Sequence, residues 1–236
     1  MTLKFITLNI WLGGYLQDEA VSFLKSQDAD IIVLQEAFNG ESSLLDARYR
    51  TVQVIKEQLN LPYASFSPNR EQPHTSDTSA LIGNSIISRY PILSSDSSVD
   101  EYNLQHAVVS TPAGEVNVFN LHGSWDLDGN KFSLIRQKMS RDVIAAIENQ
   151  KKVILAGDTN AKPTNKAIVA ITEYLKSVFG HELTTTFNMR RKDNKGYASA
   201  AVDMIFVGPD IGIIERSCPD VDVSDHLPLV AILNIE

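Results

Sequence analysis

Apolar runs alternate with polar stretches along the whole chain, and the period of the alternation changes from place to place. Lys4 to Ile10 is rich in β-formers and predicts a buried strand. Asp18 is expected to cap a short helix with Val21 and Leu24 facing inward. Ile31 to Leu34 predicts a second buried strand ending at Gln35-Glu36. Leu45, Tyr49, Val52, Ile55 and Leu59 then recur at helical spacing. Ala80 to Ser88, Ile92 to Val99, Asn103 to Ser110 and Glu115 to Leu121 follow as strands in succession, some of them separated by Pro91, Pro112 and Gly114. The second half resumes the alternation. Phe132, Ile135, Met139, Val143 and Ile147 form a helical stripe, and Lys152 to Ala156 a strand. Pro163-Thr164 starts another helix, with Thr164 as N-cap and Ile168, Ile171 and Leu175 on its inner face. Val202 to Val207, Ile211 to Glu215 and Leu229 to Ile235 complete the strands.

Helix–strand alternation argues for an α/β fold, and the central run of hairpin-length strands adds antiparallel pairing. One domain over residues 1–236 is expected, with a mixed sheet or two packed sheets. At 236 residues the chain buries roughly 70% of its unfolded surface and needs no disulfide to hold a core. The single cysteine, Cys218, excludes an intramolecular disulfide framework and fits a reducing compartment.

Charge narrows the classes of partner. Lys and Arg number 21 against 29 Asp and Glu, a formal net charge of -8. A protein that grips duplex nucleic acid mainly by charge carries a basic face instead. An anionic substrate must therefore be recognised locally. No apolar run approaches the ~20 residues that span a bilayer, and the first residues lack a secretory pattern. A monomer in the cytoplasm is the expectation.

Polar residues break the apolar pattern at the ends of the strongest strands. Asn9 follows Phe5 to Leu8, Glu36 follows Ile31 to Leu34, and His122 follows Val116 to Leu121. Asp158 and Asn160 follow Val153 to Gly157. Asp203 opens the strand Met204 to Val207, and Asp225-His226 precedes Leu227 to Val230. Taken singly, each is an ordinary turn or capping residue. Together they gather carboxylates that repel unless a cation or proton intervenes. Mg²⁺ takes oxygen ligands and needs only one or two protein carboxylates, which suits Glu36 with Asn9 and Asp225. A His–Asp pair supplies the oriented imidazole that phosphate chemistry uses.

Seven motifs appear in order: Leu8-Asn9-Ile10-Trp11, Leu34-Gln35-Glu36, Gly83 to Arg89, Asn120-Leu121-His122, Gly157-Asp158-Thr159-Asn160, Val202 to Ile205, and Ser224 to Pro228. The ordered set resembles the endonuclease/exonuclease/phosphatase superfamily from end to end. The resemblance implies a four-layer sandwich of two mixed β-sheets flanked by helices. It implies metal-assisted cleavage of a phosphate ester by in-line attack of water, with Mg²⁺ as cofactor and Mn²⁺ as a substitute. By this resemblance Glu36 is the main metal ligand, with Asn9 and Asp225 near the same ion. Asp158 orients or deprotonates the water, and Asn160 holds phosphate and water. His226 contacts a phosphoryl oxygen and Asp203 orients it. His122 assists phosphate binding or leaving-group protonation, with Asn84 as its orienting partner.

Loops separate the branches of such a superfamily, because fold and core motifs do not. Asn188 to Lys195 carries four cations in an otherwise acidic chain. It reads as a solvated loop, or as a substrate clamp through Arg190, Arg191 and Lys192. Lys131, Arg136, Lys138 and Arg141 read as a solvated helix face. Trp11 and Trp125 follow site motifs directly and could stack on a base or sugar, or be buried. Ala200-Ala201 stand where many bacterial relatives carry an Arg, which removes one phosphate contact. The leading expectation is a phosphoesterase acting on a phosphodiester or phosphomonoester. The alternatives are a nuclease acting on DNA or RNA, bound without a broad basic surface, and a catalytically silent phosphate-binding module.

Overall fold

The computed structural model describes residues 1–72, 80–125, 131–192 and 200–236, with side chains omitted at 70–72. Its strands are β1 (Thr2–Asn9), β2 (Ile31–Phe38), β3 (Tyr63–Gln72), β4 (Ala80–Ser88), β5 (Ile92–Val99), β6 (Asn103–Thr111), β7 (Gly114–His122), β8 (Val153–Asp158), β9 (Lys176–Ser177), β10 (Asp203–Val207), β11 (Ile211–Ser217) and β12 (Leu229–Ile235). The helical segments are α1 (Trp11–Gly14), a single left-handed turn, α2 (Gln17–Gln27), α3 (Thr51–Leu59), α4 (Leu134–Ile147) and α5 (Lys166–Ile171).

Two six-stranded sheets result, in the orders β11-β12-β1-β2-β4-β3 and β5-β6-β7-β8-β10-β9. Each contains one parallel pair, β1/β2 and β7/β8, among antiparallel neighbours. Strand parity explains how they stack. On β1, Leu3 and Phe5 join a core shared with Val116 and Val118 of β7 and Ile154 and Ala156 of β8. The alternate residues Ile6 and Leu8 pack instead with Ala20 and Leu24 of α2 and Val52 and Ile55 of α3. Phe119, Leu121 and Leu155, on the far face of the second sheet, pack with Met139 and Val143 of α4 and Ile168 of α5. The layers run helix, sheet, sheet, helix, the four-layer sandwich of two mixed sheets that the family resemblance implies.

The same parity positions the polar residues. Counting in twos from the shared core leads from Phe5 to Thr7 and Asn9, from Val33 to Gln35, and from Val118 to Asn120 and His122. It also leads from Ala156 to Asp158 and from Ile205 to Asp203. One end of the inter-sheet layer is thus apolar and the other polar. The polar end is stitched across the sheets: Gln35 Nε2 donates to Asn120 Oδ1 (2.6 Å), and Asn120 Nδ2 to the carbonyls of Leu34 and Ser85 (2.9 and 3.0 Å). These bonds pair the Asn120 amide and the Gln35 NH₂ group across the gap, while Gln35 Oε1 stays buried without a partner.

Several expectations change. Helix α2 has Leu16 at its N-cap with no side-chain cap, and Asp18 lies in its first turn, where its charge favours the helix dipole. Asn165, not Thr164, caps α5: its side chain accepts from Ala167 N at 3.0 Å. The stripe from Leu45 becomes helix only at Thr51, after a 3-10 turn over Ala47–Arg50. Strand β3 was not predicted, because Pro68 and a polar composition disguise it; both suit its place at a sheet edge.

Candidate active site

Glu36 sits where β2 slips register against β4, between Leu34 and Ala37, and its φ is +59°. A bulge of this kind re-aims a side chain, here off the sheet and into a cleft. Glu36 Oε1 accepts from Asn9 Nδ2 (3.1 Å) and Oε2 from the Leu12 amide (2.9 Å). The same Asn9 amide donates to Asp158 Oδ2 (3.2 Å), so one NH₂ group ties β1, β2 and β8 together. Asn160 also has a left-handed backbone, φ +50°; its amide nitrogen donates to Asp158 Oδ1 (2.9 Å) and its Nδ2 to the Gly123 carbonyl (3.1 Å). Non-glycine residues in this region are costly and cluster where function fixes the backbone.

Two glycines allow β7 and β8 to end in contact. A Cβ on Gly157, whose φ is +139°, would lie 2.0 Å from the Leu121 carbonyl oxygen, and one on Gly123 would lie 2.1 Å from the Thr159 carbonyl oxygen. Without them His122 and Asp158 could not approach; His122 Nε2 is 3.8 Å from Asp158 Oδ2.

His226 completes the constellation from the opposite side. Its Nδ1 is 2.9 Å from Asp203 Oδ2 and its Nε2 is 3.9 Å from Asp158 Oδ2. Thr186 Oγ1 donates to the same Asp203 oxygen at 2.6 Å, and the Phe187 ring packs at 4.6 Å from the imidazole. Burial opposes charge on His226, but Asp203, Asp158 and Asp225 outweigh it and push its pKa up to about 10. Burial also pushes the Asp203 carboxyl up, against the opposing pull of His226 and Thr186. With two donors on Asp203, the shared proton belongs on the imidazole.

Glu36, His122, Asp158, Asn160, Asp225, His226, Lys192 and Trp125 line one open cleft of about 420 Å³, with Trp11, Leu12 and Phe187. Asn9 and Asp203 stand behind its wall. Trp125 is 63% exposed, so it is not core. A second cleft of about 450 Å³ shares His122, Trp125 and Asn160 and extends to Asn103, Asp100 and Glu101.

Other predicted residues lie elsewhere. Asn84 is fully buried and lines neither cleft; it donates to the carbonyls of Asn103 and Asn120 (3.1 and 2.9 Å) and so ties strands together. Arg190 and Arg191 are forked onto Asp220 and Asp222. Those partners neutralise the clamp that the basic loop suggested; Lys195 lies outside the described residues. Lys192 does face the cleft, paired with Asp225 at 2.5 Å. Arg136, expected on a solvated face, is fully buried; it donates to the carbonyls of Lys131 (3.0 Å), Ser124 (3.2 Å) and Asn160. Thr186, Phe187 and Arg136 were not foreseen in these roles. Their only sequence signals are a threonine run before the basic loop and one cation in an amphipathic helix.

The donor chemistry fits a hard cation. Glu36, Asp158 and Asp225 face one cleft as oxygen donors, with Lys192 and the His226 imidazolium as the cations beside them among the described residues. The buried group Asp158, Asp203 and His226 also has ligand atoms within 4.8 Å of one another and could hold an ion, although His226 Nδ1 and Asp203 Oδ2 are already joined by a 2.9 Å hydrogen bond. No helix among the described residues is long and apolar enough to cross a membrane.

Solved structures share this architecture at low identity. An endonuclease/exonuclease/phosphatase from Beutenbergia cavernae DSM 12333 superposes with a TM-score of 0.79 at 17% identity, over 99% of this chain and 72% of that one. The human Nocturnin catalytic domain with bound sulfate gives 0.71 at 15% identity, over 100% and 95%. Sphingomyelinase C from Streptomyces griseocarneus gives 0.65 at 17% identity, over 99% and 100%. No curated protein matches the sequence. The sequence profile of the Endonuclease/Exonuclease/phosphatase family matches residues 6–226, nearly the whole chain and every strand-end residue described above. The chain therefore belongs to the endonuclease/exonuclease/phosphatase family.

Proposed function

We propose that the protein is a Mg²⁺-dependent phosphoesterase that hydrolyses a phosphodiester or phosphomonoester by in-line attack of water. The observation that carries this reading is the meeting in one cleft of Glu36, Asp158, Asn160, His122 and a His226 held by Asp203. Glu36, with Asn9 and Asp225 beside it, would hold Mg²⁺ or Mn²⁺, which supplies positive charge to the phosphoryl oxygens. His226, protonated and braced, donates to a phosphoryl oxygen as charge gathers there. The side-chain amide of Asn160 adds a second donor. One preorganised donor of this kind contributes about 3 kcal/mol to a transition state.

Asp158 takes a proton from the attacking water, whose oxygen forms the new bond to phosphorus. The bond from phosphorus to the leaving oxygen breaks, and His122 gives that oxygen a proton. Asp158 then releases its proton to solvent and His122 takes one up, which restores both groups. The products are one alcohol and one phosphate with one fewer ester.

A substrate bearing one phosphate and a leaving group without further anionic charge fits best. The cleft next to His122 is bordered by Asp100 and Glu101, and the arginines of the basic loop are paired with the chain's own aspartates. A Mg²⁺ and Mn²⁺ screen over aryl phosphodiesters, nucleotides, lipid headgroup esters, sugar phosphates and nucleic acids tests the proposal. Turnover should require the metal, stop with chelator, and fall at least about a hundredfold in Glu36→Ala. Turnover of none of these substrates, or turnover indifferent to Glu36→Ala, removes the assignment.

A further inference from the structure

Four consecutive residues, Trp11, Leu12, Gly13 and Gly14, have positive φ (58°, 47°, 80° and 93°). Two glycines adopt this readily; Trp11 and Leu12 do so only where surrounding contacts over-determine them. The turn points successive amides at the site: Trp11 N donates to Asn9 Oδ1 (3.1 Å), and Leu12 N to Glu36 Oε2 (2.9 Å). What holds the turn lies on its other side. Arg48 Nε donates to the Leu12 carbonyl at 2.7 Å, so Leu12 is bracketed, amide on Glu36 and carbonyl on Arg48. The Arg48 guanidinium also lies 3.7 Å from the centre of the Tyr15 ring, which packs on Trp11 at 4.9 Å. The Thr51 hydroxyl sits 2.8 Å from the Gly13 carbonyl oxygen.

We infer that Arg48, with Tyr15 as its platform, is a positioning residue that sets divalent-cation affinity by locking the left-handed turn whose Leu12 amide orients Glu36. The inference rests on the proposed role of Glu36 in holding the cation. Arg48 lines neither cleft; it acts on Glu36 only through Leu12, whose amide holds one carboxylate oxygen. Groups that orient a metal ligand through a hydrogen bond commonly change metal affinity tenfold or more when lost. A lysine in its place would lose the planar fork that stacks and donates at once.

The test uses the full chain, Mg²⁺ titration by calorimetry, and hydrogen exchange of the Leu12 amide. Arg48→Ala should weaken Mg²⁺ binding about tenfold and speed Leu12 exchange by at least about tenfold, with the metal-free unfolding midpoint little changed. Arg48→Met, which keeps the stem and removes the donor, should behave the same way, and Tyr15→Phe, which keeps the ring, should resemble the parent. Parental Mg²⁺ affinity and parental Leu12 protection in a folded Arg48→Ala protein overturn the inference. If instead the parent binds no Mg²⁺, or Glu36→Ala binds it unchanged, the role given to Glu36 fails, and with it the control of affinity. Leu12 exchange still reports whether Arg48 holds the turn.

Discussion

Two carboxylates flank the His226 imidazole, Asp203 at Nδ1 and Asp158 beyond Nε2, and the ring is buried. Its charge is therefore a property of its neighbours. Asp203→Asn keeps the volume and removes the nearer negative charge. The pKa of His226 then falls, because less opposes its desolvation. Imidazolium is the donor in the proposed chemistry, so activity should be lost from lower pH upward. The alkaline limb of the pH–rate profile should move down by about one unit or more, with a lower plateau. NMR titration of His226 should show the same displacement. An unmoved alkaline limb would take His226 out of its assigned role. The Asp203–His226 relation was legible in the sequence through the family motifs. Thr186 was not, because a hydroxyl that holds a carboxylate leaves no periodic trace.

At the scale of elements, the site depends on strand ends that meet without side chains between them. Gly157→Ala adds a Cβ 2.0 Å from a backbone oxygen, at a φ of +139° that side chains avoid. Backbone must move, and a cost above about 3 kcal/mol is expected, read as a lower unfolding midpoint and loss of turnover. Helix α4 contributes in another way. Arg136 runs beneath the Ser124 and Asn160 loops and answers their carbonyls. Arg136→Met leaves those buried acceptors unanswered, at about 1–3 kcal/mol each. Thermal unfolding should show the loss, and the Asn160 loop should exchange its amides faster. The central strands were readable because their inward rows are apolar with period two until the polar end begins. Strand β3 was not, because Pro68 and its polar run disguise it, nor was β9, which is only two residues long. Arg136 misled because its charge suggests solvent, although its helical spacing places it on the buried row of Met139, Ser140, Val143 and Ile147.

For the whole molecule, the net charge of -8 and the paired arginines bear on the substrate. A phosphate held by groups inside a cleft is little screened by salt. Turnover of a small phosphodiester should change by less than about threefold between low and moderate NaCl. Binding to a polynucleotide would fall steeply over the same range. A steep salt dependence, or efficient nicking of plasmid DNA, favours the nuclease alternative.

The order of strands carries one more consequence. The second sheet, β5 to β10, is continuous in sequence, whereas the first is assembled from β1 to β4 and from β11 and β12. Strand β12 lies between β1 and β11, so the last strand in sequence fills an interior position. During synthesis the second sheet can close while the first waits with the edge of β1 open. Asp225 and His226 enter just ahead of β12. A nascent chain therefore gains the last two residues of the candidate site and the strand that closes its first sheet at nearly the same moment.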